Sequence, residues 1–205
     1  MIQLEDVMTK TPHALSSLIG SRICHDLISP IGAITNGLEL LSLSGAAPGP
    51  EMQLIEDSVQ HAGARVMFFR VAFGLADATP MPEAEVAGLL RGYAAGARVE
   101  IAFHNTGELL RTGVRLACLA IQCLETAMPF GGQITVMHDG ARWQITGQSE
   151  RMQADLDMWQ ALKDGRPLPQ VTPATIQFAL IGDALRDMGG TMRLEISPEE
   201  IAIRV

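Results

Sequence analysis

His25 is followed by an acid at Asp26, a hydroxyl at Ser29 and a proline at Pro30, within the stretch RICHDLISPIGA, residues 22–33. A neutral imidazole is a nucleophile near pH 7, because its unperturbed pKa is about 6.5. A neighbouring carboxylate that accepts the other ring N–H fixes the tautomer and supports the positive charge that develops on attack. A hydroxyl one helical turn away can bond a phosphoryl oxygen or a water. A phosphoramidate formed on His25 would be labile enough to pass its phosphoryl group onward. Most surface histidines are only solvated, so the surroundings must carry this reading.

The surroundings are those of an outward-facing site on a helix. Leu27, Ile31, Ile34, Leu38 and Leu41 are spaced 4-3-4-3 and form an apolar seam. At about 100° per residue, His25 lies roughly 160° from Leu27, so it faces away from that seam. Ser29, Gly32 and Asn36 fall within about 40° of His25 on the same outer face, with Arg22 one turn earlier and Ile28 to one side. Gly32 costs a helix about 1 kcal/mol against Ala, and a bare patch there lets another backbone approach. Pro30 cannot donate to the carbonyl of Asp26, so a bend is expected beside the histidine. His25, Asp26 and Ser29 are therefore the expected catalytic group. Arg22, Ile28, Gly32 and Asn36 are the expected partner contacts.

The elements that must hold this stripe divide near residue 80. A second seam, Ile55, Val59, Ala62, Val66, Phe69 and Phe73, runs 4-3-4-3-4, and the breaker-rich SGAAPGP at 44–50 separates it from the first. Two matched seams joined by a turn predict an antiparallel helical hairpin. One hairpin leaves apolar surface uncovered, so two are expected to pair as a four-helix bundle in a homodimer. Residues 1–76 form this part, and DATPMPE at 77–83 is the expected linker. From 83 to 205 helices and strands alternate: helices at 85–96, 112–128, 151–165 and 172–190, and strands at 98–103, within 132–148 around Asp139-Gly140, and in TMRLEI and EIAIRV. The predicted class is α+β, an N-terminal helical hairpin followed by an α/β sandwich of one mixed sheet with helices on one face.

Composition excludes several functions. The chain has 205 residues, is 47% hydrophobic and carries a net charge of −8, which predicts a folded core and argues against nucleic acid as a partner. Three cysteines with no C-x-x-C pair fit a reduced, cytoplasmic protein. No apolar run approaches the roughly 18 residues of a membrane span, and MIQLEDVMTKTPHAL lacks an apolar signal core. His13, His61, His104 and His138 have no metal-ligand spacing, and Trp143 and Trp159 are expected in the core or between domains.

HDLISP resembles the phospho-acceptor box of two-component histidine kinases: histidine, then an acid, then a small hydroxyl or amide residue four on, then proline five on. The usual basic residue three on is Ile28 here. The longer run ICHDLISPIGAITNGLELL resembles the ChpT-type histidine phosphotransferases. That resemblance spans nearly the whole chain in order: kinase-like dimerisation hairpin, short linker, degenerate sandwich similar to the histidine-kinase ATP-binding fold. It implies that His25 accepts a phosphoryl group from the receiver domain of a hybrid histidine kinase and passes it to downstream response regulators. The magnesium for such a transfer belongs to the receiver, so no cofactor is expected on this chain.

Departures from the kinase pattern separate this reading from its first rival, an ATP-dependent sensor kinase. Gln122 or Cys123 stands where the resemblance expects a magnesium-binding asparagine. GQSERM follows strand RWQIT in place of an Asp-x-Gly-x-Gly loop, and no glycine-rich lid comes after it. Nothing there supplies the phosphate cradle that transfer from ATP requires. The second rival, a non-catalytic dimeric adaptor, has no use for an intact HDLISP.

Overall fold

The computed structural model describes residues 22, 23, 26, 27, 30, 32–34, 36, 37, 40, 49–74 and 78–205. His25, Ile28 and Ser29 of the acceptor stretch lie outside the described residues, as do Ile31, Leu38 and Leu41 of the first seam.

The described residues between 22 and 40 are helical, Pro30 included. The next helix, α1, is Pro50–Phe73, with Gly49 before it and proline in its first turn, where the missing N–H is not needed. The expected turn thus gives up Pro50 to the helix. The two helical stretches touch at Gly37. It is buried, and a Cβ there would lie 2.6 Å from Ile55 Cγ1 and 3.3 Å from the carbonyl oxygen of Glu51. Only a residue without a side chain permits that approach. On α1, Phe69 is buried and Ile55, Ala62 and Phe73 are half-buried, but Val59 and Val66 are 52% and 37% exposed.

Helix α2 spans Glu83–Ala94, α3 Arg111–Ala127, α4 Leu156–Asp164 and α5 Ile176–Asp187. The strands are β1 Pro80–Met81, β2 Val99–Asn105, β3 Leu109–Leu110, β4 Gly132–His138, β5 Trp143–Gln148, β6 Arg193–Ile196 and β7 Glu200–Arg204. Strands β1 and β3 pair with each other. The main sheet runs β2-β4-β5-β7-β6, with β2 and β4 parallel and every other pair antiparallel. Helix α3 makes the crossover between the parallel pair, as parallel strands demand.

One face of the sheet is covered. Ile134 and Val136 of β4 and Trp143 and Ile145 of β5 point inward and are buried, while Gln133 and Met137 are exposed. Helix α3 crosses that inner face at contact distance: a Cβ on Gly113 would meet Trp143 Nε1 at 2.6 Å, and one on Gly147 would meet Leu124 at 3.1 Å. Trp159 of α4 packs edge-on against Phe178 of α5, with ring centroids 5.0 Å apart. Both tryptophans are core residues. The Asp139-Gly140 turn closes β4–β5, with Gly140 at φ 91° and Asp139 Oδ1 accepting from the N–H groups of Ala141 and Arg142.

Two expected helices are shorter than read. The helix expected from 151 starts at Leu156, because Asp155 caps it and accepts from Met158 N at 3.1 Å. The one expected from 172 starts at Ile176, after a turn in which the Thr175 hydroxyl accepts from Thr172 N.

A single hydrophobic core runs from α1 into the sandwich. It includes Phe68, Phe69, Val71 and Ala72 along with Leu90, Tyr93 and the inner faces of α3 and the sheet. Phe68 stacks on Tyr93 with centroids 3.7 Å apart, and Phe69 meets the same ring edge-on.

Candidate functional site

The helical stretch between residues 22 and 40 is seated by its inner residues. Ile23 packs against the core, and Leu27 and Ile34 are half-buried. Gly32 and Asn36 are exposed, and a Cβ on Gly32 would meet nothing within 4 Å. The face that the sequence assigns to His25 is therefore open at both of its described positions.

Arg22 departs from that face. Its Nε lies 2.9 Å from Asp26 Oδ2, an ion pair one turn apart, with side chains only 14% and 8% exposed. An i,i+4 pair on an open helix surface contributes a few tenths of a kcal/mol. This one is largely buried, and it gives the Asp26 carboxylate a fixed partner.

Close by, the Tyr93 hydroxyl of α2 donates a short hydrogen bond to Glu125 Oε2 of α3. The Arg65 guanidinium of α1 lies over the Tyr93 ring, 5.2 Å from its centroid. Burial pushes the Tyr93 hydroxyl well above its ordinary pKa, reinforced by the Glu125 charge. Burial also raises the Glu125 carboxyl, opposed by the Tyr93 hydrogen bond and by the charges of Arg65 and Arg22. Tyr93 thus stays protonated and donating. Sequence reading missed this group. Its one signal is Glu125 as the lone charged residue in LACLAIQCLETAM; the partners come from three other segments.

A family model described as the histidine phosphotransferase C-terminal domain matches residues 83–200. The chain belongs to the histidine phosphotransferase family. Among curated relatives of this family, protein phosphotransferase ChpT of Brucella abortus (strain 2308) is 36% identical over 130 residues, 62% of this chain. That match also spans 62% of the relative's own length, under two thirds of it. A solved bacterial phosphotransferase superposes with a TM-score of 0.80 at 28% identity, covering 96% of this chain and 98% of that one. The likeness to that phosphotransferase therefore takes in the N-terminal helical part as well as the sandwich.

Within this phosphotransferase-family sandwich, Gln122 and Cys123 are both buried inside α3. Gln177 of α5 donates to the backbone oxygens of Ala174 at 2.9 Å and Gln122 at 3.5 Å. The Gln122 amide finds no hydrogen-bond partner among the described residues. Burial pushes the Cys123 and Cys118 thiols upward, so both are inert packing groups. His138 is equally structural: its Nδ1 is 2.9 Å from Asn105 Oδ1 and its ring lies against Trp143. Among the described residues no three His, Cys, Asp or Glu side chains could hold a metal ion, and no helix is long and apolar enough to cross a membrane.

Proposed function

We propose that this chain is the histidine phosphotransferase of a bacterial phosphorelay, with His25 as phospho-acceptor. A neutral ring nitrogen of His25 attacks the phosphorus of an aspartyl-phosphate on a receiver domain. The new P–N bond forms as the acyl P–O bond breaks, and the receiver aspartate leaves as a carboxylate. The imidazolium so formed keeps its second N–H, which Asp26 stabilises, and Ser29 bonds a phosphoryl oxygen. The reverse sequence delivers the group to the aspartate of a response regulator. Receivers supply their own magnesium.

The observation that carries this reading is the family match over 83–200 on a chain whose sequence holds an intact HDLISP at 25–30. The open surface at Gly32 and Asn36 supports docking of a receiver there. Exposed Val59 and Val66 support a second copy covering α1, so that two hairpins make a four-helix bundle. Buried Gln122 and Cys123 support a sandwich of residues 83–205 that does not use ATP, because neither side chain is free to ligate magnesium beside a nucleotide. We place the protein in the cytoplasm, beside the receiver domain of a hybrid histidine kinase and downstream response regulators.

The experiment is labelled phosphoryl transfer from a panel of phosphorylated receiver domains to the purified chain, and from the labelled chain to unphosphorylated receivers. Label should appear on wild type and not on a folded His25→Ala variant. Labelled ATP supplied alone should leave the chain unlabelled. Full-rate transfer by His25→Ala sinks the mechanism, and direct labelling by ATP revives the kinase.

A further inference from the structure

Arg142, Arg193 and Arg204 line one hollow of about 250 Å³, together with Thr191 and Val205. Arg193 and Arg204 stand directly opposite each other on β6 and β7. Leu194 and Ile203, the next pair along, are buried, so both arginines point from the open face of the sheet. Like charges opposed in this way destabilise a sheet. The compensation is partial. Glu195 accepts from Arg204 Nη1, Gln144 Oε1 accepts from Arg204 Nε at 3.2 Å, and Asp139 accepts from the Arg142 backbone N–H at 2.8 Å. Arg193 has no acidic partner among the described residues. A cleft of about 490 Å³ between α4 and α5 shares Thr191 with this hollow. Leu162, Leu168, Phe178 and Met192 form its apolar wall, and Gly182 of α5 lines it too. A Cβ on Gly182 would find only Arg186 Nη1, 3.9 Å away, so the cleft is open at that point of the helix. Of the charged residues along the cleft, Arg166 pairs with Asp164 at 3.1 Å and Arg186 with Asp183, and Lys163 has no acidic partner among the described residues.

We propose that the arginine hollow and the adjoining cleft form a binding site for a soluble organic phosphate, with the phosphoryl group on Arg142, Arg193 and Arg204 and the apolar body in the cleft. A guanidinium offers a planar fork of donors that matches phosphate oxygens two at a time. A dianion seated between Arg193 and Arg204 turns their mutual repulsion into two attractions. The chain as a whole carries a net charge of −8, so an anion is drawn here by the local cations and not by a general field. Phosphate alone leaves the cleft wet, whereas an apolar body there removes Leu168 and Met192 from water. The volume of the cleft lies within the range of small-molecule pockets. The site uses none of the residues assigned to phosphoryl transfer, and it stands whether or not the transferase reading does.

The test is calorimetric titration of the full chain at low ionic strength, where screening is weak. The probe is naphthyl phosphate; inorganic phosphate lacks its body, and naphthoate lacks its second charge. The naphthyl ester should bind saturably at a single site on each chain, at least about tenfold more tightly than either fragment. Arg193→Gln should weaken that binding about tenfold or more. It should also raise the melting temperature of the free chain, because it removes the like-charge pair. Gly182→Leu fills the cleft at a position where leucine favours helix, so the fold should hold. It should abolish the advantage of the ester over inorganic phosphate and leave the binding of inorganic phosphate within about twofold. If Arg193→Gln does not fold, Arg142→Gln gives the same comparison. No saturable binding by wild type, equal binding of naphthoate, or binding that both variants leave intact overturns the inference. Arg193-dependent sedimentation with phosphatidic acid vesicles, in place of binding to the ester, overturns it in favour of a lipid surface.

Discussion

The Phe68 ring lies flat on the Tyr93 ring, 3.7 Å between centroids and 15° from parallel, and so joins the second helix of the hairpin to the first helix of the sandwich. Both side chains are fully buried in the core that spans the two parts. The hairpin and sandwich should therefore melt in one transition. Phe68→Ala removes an aromatic ring from that junction and should cost about 3–5 kcal/mol. Calorimetry on the two proteins checks both statements; two resolved transitions in wild type would mean that the shared core does not couple them.

Two glycines of the helical stretch between residues 22 and 40 should respond in opposite directions. Gly32 faces open space, so Gly32→Ala should stabilise by up to about 1 kcal/mol through helix propensity. Gly37 abuts Ile55, so Gly37→Ala should destabilise, and Ile55→Ala in the same chain should recover part of the loss. Denaturant midpoints of the four proteins decide it. Gly32→Trp, which projects a ring into the same open space, should keep its fold and lose more than tenfold in transfer rate. A wild-type rate in that variant would put receiver docking elsewhere.

Val66 is part of the exposed apolar row on α1. Val66→Glu should convert the proposed dimer to monomer, because a charge buried without a partner costs several kcal/mol. Light scattering at micromolar concentration reads the change. A wild-type monomer at that concentration removes the four-helix bundle.

Burial raises the pKa of the Glu125 carboxyl in the folded chain. The unfolded carboxyl titrates near 4.3, as an ordinary glutamate does, so the folded state holds this proton to higher pH. The stability that protonation contributes is complete below the unfolded value and is lost as pH rises through the folded one. Glu125→Gln cannot titrate. Wild-type melting temperature minus that of Glu125→Gln should therefore increase as the buffer is taken from pH 7 to pH 5. A difference that shrinks on acidification would mean that the nearby arginines outweigh burial.

Much of the molecule was legible because local chemistry decided it. Asp139-Gly140 made a hairpin turn with glycine in the left-handed region, between the two strands expected within 132–148. Glycine at 32 on an outward face proved to be open. What escaped depended on distant partners. The paired strands at 80–81 and 109–110 are two residues each, too short to leave a periodic pattern. Asp155 was read inside a helix that it in fact begins, because an acid is compatible with both a first turn and a cap. Arg22 looked like a surface contact, since nothing nearby in sequence announces Tyr93, Glu125 or the ion pair with Asp26.

The main sheet ends in β2 on one side and β6 on the other. Glu100 stands exposed along the first edge, and Arg193 and Glu195 along the second. Charged side chains on a border strand penalise the addition of a further strand, the event that seeds fibrils. The sandwich is thereby protected against templated aggregation at both rims.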